Sequence, residues 1–256
     1  MRVLITRPEK YGLNLAEKIK PLGFIPELLP TIHFQPTLQQ PLLQTAIEQL
    51  DRIMIAIFVS QAAVDFSFPL IKATWQPLPD IQWAAIGSAT AQALQQQGIQ
   101  TIILPENPPY ESESLLAHPA LQSVTGKHIF IFRGNGGRDL LSRVLTGRDA
   151  TVTLVEVYER SLPRVNMTKK FQHWQQHPPQ VIVTTSAQSL HNLMILASHG
   201  LPGLKDIPLV VVGLRMHELA NTLEFKKPVI ALGADDASII KVLTKLKDQA
   251  GENNHF

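Results

Sequence analysis

Short β-branched runs alternate along this chain with stretches of helical periodicity, the pattern of strands joined by crossover helices in a parallel sheet. The pattern is written twice, at an offset of about 126 residues. Strands are predicted over 2–6, 25–34, 53–59, 82–86 and 101–104, then over 128–132, 151–159, 181–184, 209–212 and 229–232. Helices such as 12–22, 89–97, 138–145 and 215–223 lie between them, with apolar residues every three or four positions. Arg7 and Arg133 are 126 residues apart, as are Leu15 and Leu141, Ser60 and Ser186, and Gly87 and Gly213. Any two α/β units look alike when aligned by strand, but identities at one offset across separate strand-helix units go further. Beyond Gly213 the match shifts to about 127, as one inserted residue would produce. The expectation is two similar lobes around a functional cleft.

Composition agrees with two domains: 256 residues with 45% apolar content can bury two ordinary cores. The 23 Lys and Arg nearly match the 21 Asp and Glu, so no strong field marks a nucleic-acid binder, although a local basic pocket stays open. There is no Cys, which removes disulfides, thiolate nucleophiles and Cys-based metal sites. The segment Met1-Arg2-Val3-Leu4-Ile5-Thr6-Arg7-Pro8 turns polar too soon for a signal-peptide core, and a cytoplasmic protein is expected. The richest apolar run, 53–59, is far short of the ~20 residues a membrane helix needs, so no membrane segment is expected.

The second strand of each half ends near a proline, in Phe34-Gln35-Pro36 and in Arg160-Ser161-Leu162-Pro163. Proline cannot donate to a ladder and favours strand edges and exits, so both places read as crossings between lobes. The polar end, 249–256, is expected to fray.

Ligands of open parallel sheets bind beyond the carboxyl ends of the strands, where helix N-termini point N–H groups outward. Those ends carry Thr6-Arg7-Pro8, Ser60-Gln61-Ala62-Ala63, Gly87-Ser88-Ala89-Thr90, Arg133-Gly134-Asn135, Thr184-Thr185-Ser186-Ala187 and Gly213-Leu214-Arg215. Hydroxyls, small residues and Arg dominate, which suits an anionic ligand bearing carboxylates or phosphates. Each group also has a plainer role. Ser60, Ser88 and Ser186 are placed as helix N-caps, a role compatible with ligand binding. Arg7 and Arg133 could be surface residues, but their shared repeat position favours binding equally. Tyr158 could simply pack its ring where the lobes meet.

Other motifs carry less. Gly134-Asn135-Gly136-Gly137-Arg138-Asp139 resembles a dinucleotide loop but lacks the third glycine and the following acidic residue in context. His173 and His177 have helical zinc spacing, yet no Glu adjoins His173 and no third ligand is evident, so a solvated helix face is preferred. No metal is expected. The clustered Asp of a receiver domain and the Gly-x-Ser-x-Gly turn of a serine hydrolase do not occur.

Taken in order, Val3-Leu4-Ile5-Thr6-Arg7-Pro8, Ile57-Phe58-Val59-Ser60-Gln61-Ala62-Ala63-Val64 and Ala85-Ile86-Gly87-Ser88-Ala89-Thr90-Ala91 resemble the uroporphyrinogen-III synthase family. The resemblance continues through Ile131-Phe132-Arg133-Gly134, Val157-Tyr158-Glu159-Arg160, Val183-Thr184-Thr185-Ser186 and Val211-Val212-Gly213-Leu214-Arg215. No single segment is specific; their order and spacing are. The resemblance implies two flavodoxin-like parallel-sheet lobes joined by a two-stranded linker, from an internal duplication with exchanged halves. Lobe 1 would comprise 1–34 with 165–256 and lobe 2 would comprise 38–157, leaving 35–37 and 158–164 as linkers. It further implies a cofactor-independent, cytoplasmic, monomeric lyase acting on the linear tetrapyrrole hydroxymethylbilane. The hydroxyl of ring A would leave to give an azafulvene, the substituted carbon of ring D would attack to form a spiro intermediate, and rearrangement would close uroporphyrinogen III.

Under that resemblance the tyrosine that assists departure of the hydroxyl falls on Tyr158, and substrate-binding positions fall on Arg7, Ser60, Gln61, Gly87, Ser88, Thr90, Arg133, Gly134, Thr185, Ser186, Gly213 and Arg215. The chain departs from the family pattern after Gly213, where some members have adjacent Thr and this chain has Leu214-Arg215-Met216; Arg215 matches a bacterial variant. A transient contact with the preceding deaminase is a further implied partner. The competing reading is a non-catalytic two-lobed binding module for a small anionic ligand.

Overall fold

The computed structural model describes residues 1–106, 111–198 and 203–252. Its strands are β1 (Arg2–Ile5), β2 (Ile25–Leu28), β3 (His33–Pro36), β4 (Ile55–Phe58), β5 (Gln82–Ala85), β6 (Ile102–Ile103), β7 (His128–Gly134), β8 (Thr151–Ser161), β9 (Val181–Val183), β10 (Leu209–Val212) and β11 (Pro228–Ala231). Its helices are α1 (Glu9–Ile19), α2 (Gln40–Glu48), α3 (Gln61–Thr74), α4 (Ser88–Gln96), α5 (Ser112–Ala117), α6 (Leu140–Thr146), α7 (Met167–Gln176), α8 (Ala187–Ala197), α9 (Gly213–Thr222) and α10 (Asp236–Glu252). None of the described helices is long and apolar enough to cross a membrane.

The chain divides into two compact units: unit 1 is Met1–His33 with Ser161–Phe256, and unit 2 is Phe34–Arg160. Unit 1 holds a sheet in the order β11-β10-β9-β1-β2, with parallel pairing throughout. Numbered along the unit, this is the flavodoxin-like order 2-1-3-4-5. Unit 2 holds the order β3-β8-β7-β4-β5-β6, parallel from β8 to β6. The same arrangement in space recurs there in circularly permuted form: β8-β7-β4-β5-β6 reads 5-4-1-2-3 along the chain, with β7 and β8 standing where β1 and β2 stand in unit 1 and β3 added at the edge.

Strand alternation builds the cores. In unit 1, Val3 and Ile5 face one side with Leu15, Ile19, Ile239 and Leu243 from α1 and α10. Leu4, Ile182 and Val211 face the other side with Leu190, Leu193 and Ala220 from α8 and α9. In unit 2, Ile55, Ile57, Ile129 and Ile131 pack on Leu115, Leu116, Leu141 and Leu145 of α5 and α6. The opposite face is aromatic: Phe58 stacks on Phe132 at 4.6 Å and lies 5.8 Å from Phe68 and 6.0 Å from Trp83. Burying these rings contributes roughly 1.5–3 kcal/mol each.

Two expectations change. The single strand predicted over 25–34 is two strands in different sheets, β2 in unit 1 and β3 in unit 2. Pro30, between them, has no N–H, so the chain follows β1 only through Leu29 N to Ile5 O and Thr31 N to Thr6 O before leaving the sheet. At the other end, α10 runs to Glu252 although fraying was expected from 249; residues 253–256 lie outside the described residues. Of the expected linkers, 35–37 and 158–164, residues 35–36 belong to β3 and 158–161 to β8.

Candidate functional site

In a 2-1-3-4-5 sheet the strand order reverses between the first and third strands, and the crevice outside their carboxyl ends is where ligands sit. In the permuted sheet of unit 2 the equivalent strands are β7 and β4, ending in Arg133-Gly134 and leading to Ser60. In unit 1 they are β1 and β9, leading to Thr6-Arg7 and Thr184-Thr185-Ser186.

Tyr158 is the centre of the unit 2 site. The ladder between β7 and β8 shifts at Arg133/Gly134, so that Gly134 faces Tyr158 with Val157 left over. Such a bulge re-aims a side chain at the end of a strand. The ring of Tyr158 comes to rest on Gly134, where an added Cβ would lie 2.5 Å from Tyr158 Cε2; only glycine leaves that space. Phe34 meets the ring edge-on at 4.8 Å, and Phe66 lies at 5.6 Å. Backbone bonds hold both flanks, with Asn135 N donating to Tyr158 O and Arg160 N donating to Asn135 Oδ1. The hydroxyl is 3.1 Å from Ser60 Oγ and accepts from Arg160 Nη2 at 2.8 Å, while the Arg160 guanidinium stands 5.3 Å from the ring centre. Ser60 is also the N-cap of α3, accepting from Ala63 N. Tyr158, Ser60 and Gly134 are thus brought together.

Arg133 and Arg7 lie at equivalent places, and both are buried in ion pairs. Arg133 bonds Asp139 at 2.9 Å and the carbonyls of Gly134 and Gly136, folding the glycine-rich loop back on β7. Arg7 reaches Asp236, which also binds Lys18, at 2.5 Å. A buried guanidinium needs such partners, since an unpaired buried charge is costly.

Unit 1 has no tyrosine at this position; Ile32 stands there, 126 residues before Tyr158. Its strand ends are tied instead by hydroxyls. Thr6 Oγ1 bonds Val183 O at 3.0 Å and Ser189 Oγ at 2.9 Å, Thr31 Oγ1 meets Ser189 Oγ at 2.6 Å, and Asn192 Nδ2 donates to Thr31 O at 2.7 Å. Beside them Thr184 Oγ1 is fully buried and unpartnered among the described residues. Ser186 caps α8 through Ser189 N, and Thr185 is half-buried at the same edge.

Elsewhere on these edges Ser88 is the first residue of α4 and not its cap, a place taken by Gly87 in extended backbone. Thr90 is buried one turn in. Gln61 is half-buried at the start of α3. Gly213 opens α9 at φ 73°, a left-handed conformation that glycine adopts without penalty. Arg215 is exposed in the first turn of α9, where a cation is unfavourable to the helix dipole; the place suits a residue that meets an anion. Among the described residues no group of three or more His, Asp or Glu could hold a metal ion. His173 pairs with Glu27 at 3.2 Å.

Arg160 escaped the sequence reading, although a residue two places after Tyr158 on a strand shares its face. Thr31 and Ser189 escaped it too, and Thr6 was expected only as a strand-end residue, because the partners of all three are 25 to 183 residues away.

A family model described as uroporphyrinogen-III synthase HemD matches residues 14–241. The uroporphyrinogen-III synthase of Escherichia coli is 33% identical over 248 residues, covering 95% of this chain and 100% of that protein. That of Salmonella typhimurium is 31% identical over 248 residues, with the same coverage. Among solved structures, a mutant uroporphyrinogen III synthase from Thermus thermophilus covers 97% of this chain and 99% of its own, with a TM-score of 0.63 at 17% identity. The uroporphyrinogen-III synthetase of Helicobacter pylori covers 96% and 100%, with a TM-score of 0.58 at 16% identity. These structures support the two-lobed parallel-sheet fold.

Proposed function

The chain belongs to the uroporphyrinogen-III synthase family, and on that premise we propose that it closes hydroxymethylbilane into uroporphyrinogen III, inverting ring D and releasing water. The observation that carries the chemical part is the Tyr158 hydroxyl, held between Ser60 and Arg160 at the carboxyl end of the central strands of unit 2. Tyr158 is the source of the proton that leaves with the ring A hydroxyl. General-acid help of this kind is worth on the order of 10²- to 10⁴-fold. The larger task is holding a flexible, reactive chain so that ring D offers its substituted carbon.

Binding of the substrate carboxylates falls to the hydroxyls, N–H groups and cation at the strand ends: Gln61, Gly87, Ser88 and Thr90 in unit 2, and Thr185, Ser186, Gly213 and Arg215 in unit 1, while Ser60 meets the substrate at its reacting end. Arg133 and Arg7 add positive charge while fixing the loops that follow β7 and β1. Gly134 seats the tyrosine. Only groups of the chain itself take part, in a cytoplasmic monomer that meets the preceding deaminase transiently.

Incubation with freshly made hydroxymethylbilane tests the reading. The expected product is the type III isomer; type I alone, the outcome of unassisted closure, would overturn it, and anion binding without turnover would favour a binding module. Tyr158→Phe is expected to slow type III formation without abolishing it, and an undiminished rate would remove Tyr158 from the chemistry.

A further inference from the structure

The hydroxyl of Tyr158 is itself shut away: the residue is 1% exposed. Its hydrogen bonds nevertheless have a direction. A guanidinium has donors and no acceptor, so the Arg160 Nη2 contact at 2.8 Å occupies a lone pair of the phenol oxygen. The phenol proton then has one acceptor among the described residues, Ser60 Oγ at 3.1 Å. Ser60 Oγ also accepts the Ala63 N–H at 3.1 Å, which fills its second lone pair. Its own proton finds no further acceptor among the described residues. Ser60 is half-buried where Tyr158 is buried, so of the two hydroxyls it is the one at the start of α3 that a substrate can reach.

Resting on the function proposed above, we propose that Ser60 is the group that hands the proton to the departing hydroxyl, that Tyr158 reloads Ser60, and that Arg160 is a positioning residue that sets the direction of the relay. As the C–O bond of the hydroxymethyl group breaks, its electron pair leaves on oxygen, which takes the Ser60 proton and departs as water. Ser60 Oγ takes the Tyr158 proton, and the phenolate so formed is paired with Arg160. The carbon left behind is an azafulvenium cation conjugated with the pyrrole nitrogen. The proton released when the macrocycle closes returns through Ser60 to Tyr158, so the net loss is one water. The N-terminus of the 14-residue helix α3 favours the negative charge that develops on Ser60 Oγ during transfer.

A double-mutant cycle on type III formation from hydroxymethylbilane separates this relay from direct donation by Tyr158. Ser60→Gly keeps a residue tolerated at an N-cap while removing the hydroxyl, and Ser60→Thr restores both. In the relay, Ser60→Gly and Tyr158→Phe each lower kcat by about 10²-fold, and the double variant is no slower than the worse single one. Ser60→Thr returns kcat to within about tenfold of the parent, and Arg160→Gln lowers kcat about tenfold with KM changed by less than about twofold. Losses that multiply in the double variant, a parental kcat in Ser60→Gly, or an Arg160→Gln effect confined to KM would overturn the relay while the function stands. Type I product alone from the unaltered protein would overturn the function and the relay with it.

Discussion

Where unit 1 has Thr6, Thr31, Thr184, Ser189 and Asn192, unit 2 has Phe132, Val157, Phe58, Ala63 and Phe66, each pair 126 residues apart. The backbone frame around them is alike, with the same spatial arrangement of strands and a serine N-cap at Ser60 and Ser186. The chemistry filling it is opposite. Unit 1 closes its strand ends with short, directional hydrogen bonds between buried groups. Unit 2 fills them with rings: Phe58 and Phe132 stack on each other, and Phe34 and Phe66 lie against Tyr158. A repeated frame therefore does not repeat a site: the proton-bearing group sits where the packing is aromatic, and its counterpart in the hydroxyl-lined unit is Ile32.

The sharpest way to break this comparison is to remove a ring. Phe132→Ala is expected to cost about 3–5 kcal/mol, because it deletes a fully buried ring stacked on Phe58 and leaves a cavity. Chemical denaturation checks the figure, and a cost below about 1 kcal/mol would mean that the aromatic layer does not hold the unit 2 site. A smaller effect follows from opening the hydroxyl network of unit 1. Ser189→Ala takes a partner from both Thr6 and Thr31 and is expected to cost about 1–3 kcal/mol on the same measurement. The smallest and most discriminating change is Thr184→Val. Its hydroxyl is buried without a partner among the described residues, so a near-isosteric methyl is expected to leave stability unchanged or to raise it by up to about 1 kcal/mol. If turnover of hydroxymethylbilane falls while stability holds, the hydroxyl serves the ligand; if stability itself falls, the packing account of unit 1 is wrong.

Much of this architecture was legible in the residues. The β-branched runs and three-to-four spacing locate most strands and helices because both signals are local, and the N-caps at Ser60 and Ser186 follow from a serine placed just before an apolar-periodic run. The break at Pro30 is visible as well, since a residue without an N–H interrupts any ladder it enters, but the apolar run around it masks that signal. The aims of Arg7 and Arg133 were not legible. Both were expected to meet an anion from outside, whereas Asp236 is 229 residues from Arg7, and Asp139 reaches Arg133 only because the intervening loop doubles back.

The sequence alone determined the α/β class, the repeated strand pattern and the strand-end positions where the candidate binding groups collect, because hydrophobic period, caps and glycines act over a few residues. The direction of hydrogen bonds at the site belongs to the tertiary structure. A one-residue bulge opposite Gly134 turns Tyr158 toward Ser60 across 98 residues of chain and brings Arg160 onto the same oxygen. No local periodicity encodes that arrangement, since it arises from the register between two strands and from the space a missing Cβ leaves for a ring.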